Sequence, residues 1–170
     1  IKNIDKTKFN VIIFHAENVK KSDIKNEIDV SADKVIELKN KISEQQIQVD
    51  NENLDIVFYP DLGMSPTTYF LAFSRFAPVQ IASWGHTETS GIDTIDYFIS
   101  SKLFENNKAQ KNYSEKLICL DRVPTYFELP KKINKLKSRR ELGLPENSNL
   151  YGCPQSLFKL HPDCDYTFSE

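Results

Sequence analysis

Apolar residues fall along this chain in short dense runs, separated by polar stretches that carry glycine or proline. "FNVIIFH" (9–15) is rich in β-branched and aromatic residues and predicts a buried strand. A polar stretch follows, up to Val30. Ser31 is placed to cap a helix beginning near Ala32, with Asp33 in its first turn. Val35, Leu38 and Ile42 recur at helical spacing and Glu37 lies four residues before Lys41, so this helix is expected to run into the Gln residues at 45–48.

"LDIVFY" (54–59) is almost wholly apolar, as in a strand buried on both faces of a parallel sheet. Ser65 and Pro66 suit an N-cap and a first helical position. "TTYFLAFSRF" (67–76) then reads as a helix covered nearly all round. Further strands are expected in 77–85, 94–100 and 116–121. From 131 the texture turns basic, with a linker leading to a short helix "SRREL" that Gly143 closes. "NLYGCPQSLFKLHPD" (149–163) looks like the first strand and loop of a new unit. Alternating strands and helices predict an α/β fold with a mostly parallel sheet.

Composition narrows the class without naming a function. The chain has 170 residues, 27% charged and 39% hydrophobic, with net charge −2. That suits one globular domain with a real core and argues against a general nucleic-acid binder. No apolar run reaches the ~20 residues of a membrane span, and residues 1–10 are polar, so no membrane association is expected and a cytoplasmic location is. Three cysteines without a CxxC read as reduced thiols. The chain opens on Ile and stops where a helix is starting, which reads as a piece of a longer protein.

In parallel sheets, ligands bind beyond the carboxyl ends of the strands. Three polar segments fall at such ends: "PDLGMS" (60–65), "GHTETSG" (85–91) and "CPQSLFK" (153–159). There is no GxGxxG, Walker loop, GxSxG or HExxH. Ser65 lacks the second glycine of a nucleophile elbow and reads as a cap. Cys153, His161 and Cys164 match no common zinc spacing, so no metal site is expected. His86 follows Gly85 at a strand end; its ring either faces a cleft or makes one backbone hydrogen bond. Lys159 precedes a helix start, where charge and free amides suit a diphosphate; a snorkelling surface lysine fits the spacing equally. The six basic residues of 131–140 read as an anion patch or, more simply, as a solvated face.

The order "DIVFYPDLGMSPTTYFLAFSRFAPVQIASWGHTETSGIDTIDYFIS", "YSEKLICL", "LYGCPQSLFKLHPD" resembles the catalytic region of O-linked N-acetylglucosamine transferases, the bacterial SPINDLY-like members above all. The likeness runs from about residue 54 to 163. It implies a GT-B glycosyltransferase with two Rossmann-like domains. On that reading residues 1–130 are most of the first domain, 131–148 a basic linker with a short helix, and 149–170 the start of the nucleotide-binding domain.

The implied activity is inverting transfer of a sugar, N-acetylglucosamine first, from a UDP-sugar to Ser or Thr hydroxyls of proteins, without a cofactor or required metal. TPR-type helical repeats would accompany the catalytic region. By position, Gly85, His86, Thr87, Thr89, Ser90 and Gly91 fall on the loop that lines the donor sugar. Thr87 stands where many relatives carry proline, so the loop loses a fixed φ. Lys159 falls on the lysine that meets the donor diphosphate, with Gln155 or Ser156 on a nucleotide contact. The family's catalytic histidine has no match, since His15 lies in a strand, and the general base is unassigned. A non-catalytic module that binds a nucleotide sugar or a protein, or an inactive truncated homologue, is the alternative.

Overall fold

The computed structural model describes residues 1–16, 19–126, 129 and 135–169. The chain divides into two compact units, Ile1–Phe127 and Glu128–Glu170. In chain order the first unit has β1 (Ile12–His15), α1 (Asp23–Ser31), β2 (Lys34–Glu37), α2 (Ile42–Asp50), β3 (Ile56–Tyr59), α3 (Pro66–Leu71), β4 (Val79–Ala82), β5 (Tyr97–Ser101) and β6 (Lys116–Leu120). A 3₁₀ turn, Ala109–Asn112, precedes β6. The α/β class with parallel strands is as expected. The strands form two sheets, a β1-β2 pair and a four-stranded sheet in the order β3-β4-β5-β6, all parallel.

The helix expected from residue 32 is not there. The polar stretch before Val30 folds instead as α1, capped by Ser22, whose hydroxyl accepts from the Lys25 amide at 3.1 Å. Ser31 ends that helix and donates back to the Glu27 carbonyl at 2.7 Å. Asp33 holds the entry to β1, accepting from the Val11 amide at 2.7 Å and from Lys6 at 2.6 Å. The adjacent β-branched Val35 and Ile36 go into β2, where they pair with Ile13 and Phe14. Glu37 meets Lys25 at 3.1 Å rather than Lys41. The helix that does form, α2, starts at Ile42 and has the Gln residues in its body.

Strand order dictates which face of the main sheet is covered. Parallel connections are right-handed, so strands added always on the same side place every connection on one face. Tyr59, Ala82, Phe98 and Leu117 form one row across that face. Tyr59, Ala82 and Phe98 join Leu62, Leu71, Ile92 and Ile95 in the core, which Leu117 packs against. Gln80, wholly buried, ties two connections together there. It accepts from the Phe76 amide at 2.9 Å and donates to the carbonyls of Ser74 (3.1 Å) and Thr94 (2.9 Å). Phe98 meets Tyr113 of the third connection, ring centroids 4.9 Å apart.

On the opposite row, Phe58-Ile81-Tyr97-Lys116, Phe58 and Lys116 at its two ends are exposed. Ile56 and Phe58 are each 51% exposed, so β3 is not buried on both faces as its composition suggested. Beyond β3, Ser65 and Pro66 do begin α3, though the Ser65 hydroxyl makes no capping bond. The helix is one turn shorter than expected and open on one side, with Phe70 at 59% and the following Phe73 at 54% exposed. The second and third connections contain no α-helix.

In the second unit, Arg140–Leu142 forms one 3₁₀ turn closed by Gly143 at φ 67°, where the glycine stop was expected. Arg139 donates to the carbonyls of Pro145, Glu146 and Ser148 and so is bound internally. Residues 131–134 of the basic run lie outside the described residues. No strand forms in 149–163; this segment holds a 3₁₀ turn, Leu157–Lys159, followed by α4 (Cys164–Ser169).

Candidate functional site

The loops after β3 and β4 leave the same edge of the sheet and interlock there. A Cβ on Gly85 would stand 2.3 Å from the Asp61 carbonyl carbon and 2.6 Å from the Leu62 nitrogen, so no other residue fits. Gly63, at φ 89°, lies under the His86 ring, whose Cδ2 would be 3.1 Å from an added Cβ. The His86 amide donates to the Leu62 carbonyl at 3.1 Å. Both readings of His86 therefore hold at once, a backbone bond and an exposed ring at a cleft.

That cleft is lined by Leu62, Gly63, Tyr69, His86, Glu88 and Phe98, among others, and measures about 230 Å³. Pockets that bury a drug-sized ligand run from roughly 300 to 1,000 Å³, so this one is smaller than those. Thr87 is exposed and lines a second hollow with Glu88, Thr89, Glu105, Asn112 and Tyr113. Burial raises the Asp61 carboxyl pKa above the usual aspartate range.

The far end of the loop is anchored by a residue that no sequence signal singled out. Glu115, 2% exposed, accepts from the Thr89 hydroxyl at 2.6 Å, the Ser90 amide at 2.7 Å and the Ser90 hydroxyl. Burial alone would raise its pKa; the Ser90 and Thr89 donors outweigh that and hold it below the usual glutamate range. Glu115 sits within "YSEKL", where pattern alone shows an ordinary polar residue opening a strand. The Gly91 amide donates to the Thr89 hydroxyl at 3.3 Å and completes the turn. At the near end Trp84 Nε1 donates to the Ser100 hydroxyl at 3.3 Å, and its ring meets Phe104 edge-on at 5.1 Å.

Gly85, His86, Thr87, Thr89, Ser90 and Gly91 thus share one loop of the first unit. Gln155, Ser156 and Lys159 belong to the second unit. Lys159 ends its 3₁₀ turn, with its amide on the Ser156 carbonyl at 2.9 Å and Nζ 6.0 Å from the Phe158 ring centroid. The Ser156 amide donates to Gln155 Oε1 at 3.0 Å. Among the described residues no three His, Cys, Asp or Glu side chains gather as metal ligands. Among the same residues no helix is long and apolar enough to cross a membrane.

No family model matches the chain. It is 29% identical over 93 residues to a probable UDP-N-acetylglucosamine–peptide N-acetylglucosaminyltransferase, SEC, of Arabidopsis thaliana, covering 51% of this chain and 10% of that protein. It is 28% identical over 130 residues to the UDP-glucose:protein N-beta-glucosyltransferase of Actinobacillus pleuropneumoniae serotype 7, covering 74% of this chain and 20% of that one. The fold matches a mutant O-GlcNAc transferase of Thermobaculum terrenum with a TM-score of 0.66 at 19% identity, over 72% of this chain and 24% of that chain. The chain spans about a tenth to a fifth of the length of the curated relatives it matches. The chain is thus similar in sequence to glycosyltransferases that act on proteins and in fold to an O-GlcNAc transferase.

Proposed function

We propose that this chain carries part of an inverting glycosyltransferase that moves a sugar, N-acetylglucosamine first, from a UDP-sugar to Ser or Thr hydroxyls of proteins. The observation that carries the reading is the interlocked pair of loops at the carboxyl ends of β3 and β4. They frame a cleft of about 230 Å³ whose lining includes His86, Thr89 and Ser90, three of the residues that the family resemblance assigns to the donor sugar. In the transfer the acceptor oxygen attacks the anomeric carbon, the bond to the diphosphate oxygen breaks, and UDP leaves with the electron pair. The acceptor proton passes to a base, and the configuration at the anomeric carbon inverts. His86 and its loop orient the sugar. Lys159 neutralises the charge that grows on the departing diphosphate, an electrostatic contribution commonly worth several kcal/mol. The reaction is proposed to proceed without a required metal, the cation being supplied by Lys159.

A second reading is glucose transfer to an asparagine amide. It is favoured by the longer match to the protein N-glucosyltransferase, 130 residues against 93. One assay separates the two. The protein is incubated with UDP-N-acetylglucosamine or UDP-glucose and with peptides offering Ser/Thr or Asn. UDP release and peptide mass are read together. Modification of Ser/Thr peptides from UDP-N-acetylglucosamine supports the first reading, and of Asn peptides from UDP-glucose the second. UDP release with no peptide modified in any pair removes both.

A further inference from the structure

We propose that Glu115 is the positioning residue of the donor-sugar loop: it holds residues 84–91 in their working shape through Thr89 and Ser90 and touches no substrate itself. The inference rests on the donor-loop reading above.

The hydrogen bonds leave the two hydroxyls little else to do. The Thr89 hydroxyl donates to Glu115 at 2.6 Å while accepting from the amides of Ser114 (3.1 Å) and Gly91 (3.3 Å). The Ser90 hydroxyl donates to Glu115 and accepts from the Ile92 amide at 3.2 Å. A hydroxyl has one proton and two lone pairs, so Thr89 is saturated and Ser90 nearly so. Their part in sugar binding is therefore to set the loop. Direct contact falls to groups that line the cleft unspent, His86 and Glu88 first.

Glu115 is also a costly way to close a loop. A buried carboxylate loses its hydration, and apolar residues of similar size often stabilise as well or better. What a carboxylate adds is direction. The donors it gathers are hydroxyls and one amide, each of which must point inward. Ser114 Oγ adds a longer contact at 3.2 Å from the residue before it. The start of β6 thereby dictates the course of a loop that left the sheet two strands earlier.

The test uses Glu115→Ala, Glu115→Gln and Glu115→Asp, with Gln80→Leu as a control that weakens the same buried face without touching the loop. Amide hydrogen exchange reports loop order without any ligand. Affinities for UDP-N-acetylglucosamine, UDP-glucose and UDP alone separate sugar from nucleotide. Glu115→Ala is expected to speed exchange at residues 89–91 by about tenfold or more over Gln80→Leu. It should cut UDP-sugar affinity about tenfold, with UDP affinity held within about twofold.

Gln keeps an oxygen for both Ser90 donors but presents an N–H to the saturated Thr89 hydroxyl, so it restores only part. Asp is one carbon short and behaves like Ala. Unchanged exchange in Glu115→Ala overturns the proposal, as does an equal loss of sugar preference in Gln80→Leu. If the wild-type protein binds no UDP-sugar, the donor reading falls, and the sugar half of this inference with it. Exchange still decides whether Glu115 orders the loop.

Discussion

Gly85 lies flat against the backbone of Asp61, so close that the smallest side chain would overlap the Asp61 carbonyl carbon at 2.3 Å. The atoms it would strike are main chain, which cannot swing aside. The two loops that form the cleft are in this sense one object, and their spacing is set by a hydrogen atom where a methyl group would be.

Gly85→Ala is therefore expected to force the loops apart. Overpacking of this kind costs about 1–3 kcal/mol, and contact with main chain puts this site at the upper end. Urea unfolding with an unchanged m-value measures it, and a midpoint equal to wild type would contradict the interlock.

Lys159→Ala should lower kcat/KM with UDP-sugar donors by roughly 10²–10³, the loss that follows removal of one group stabilising a developing anion. Nucleotide release under single-turnover conditions gives the number. A rate within twofold of wild type returns Lys159 to the role of an exposed lysine beside Phe158.

His86→Ala removes a ring from the cleft and leaves the backbone bond to Leu62 in place. Donor affinity should fall by a factor of roughly 3–10, about what one lost hydrogen bond is worth, with little change in unfolding free energy. Calorimetric titration with the donor and with UDP alone decides it. Equal loss for both ligands would move His86 from the sugar to the nucleotide.

The Glu115 carboxyl sits below its ordinary value of 4.5 because the Ser90 and Thr89 donors outweigh the effect of burial, which acts the other way. A depressed acid stabilises the fold at pH above its unfolded value, and the gain is lost as pH falls through the folded value. The stability gap between wild type and Glu115→Gln should be widest above about pH 4.5 and narrow below it. Asp29, Asp33 and Asp96 are lowered too and titrate in the same region, so the difference between the two proteins is what must be followed. A gap independent of pH would show that charge is not what Glu115 contributes.

Ser22→Ala should cost about 1 kcal/mol, the usual loss for an N-cap serine whose side chain accepts from the first turn. Ser31→Ala, at the other end of α1, should cost less. Chemical denaturation of both variants compares them, and the reverse ranking would restore Ser31 as a cap.

Short-range chemistry made much of the fold legible. The runs at 56–59, 79–82, 97–101 and 116–120 become the main sheet, and Ser65-Pro66 and Gly143 punctuate where they should. Residues 32–42 mislead because Val35, Leu38 and Ile42 fit a helical period by chance, while the partner that makes 34–37 a strand is β1, more than twenty residues away. The site follows the same division. "GHTETSG" stands out for its glycines and its place at a strand end. Glu115 and Gln80 do not, because each works through bonds to segments far off in sequence. The segment "PDLGMS" stands out at a strand end, but nothing in it marks Gly63 as the seat of the His86 ring.

The Glu115 tie also sets a timetable. Ser90 waits for Glu115, 25 residues downstream, whereas β3 and β4 can pair as soon as the chain reaches Ala82. The strands stack in the order in which the chain supplies them, each joining the edge left by the last. The cleft is thus completed only after β6 has docked, and a nascent chain ending at residue 112 would display the sheet's first strands with an unshaped donor loop above them.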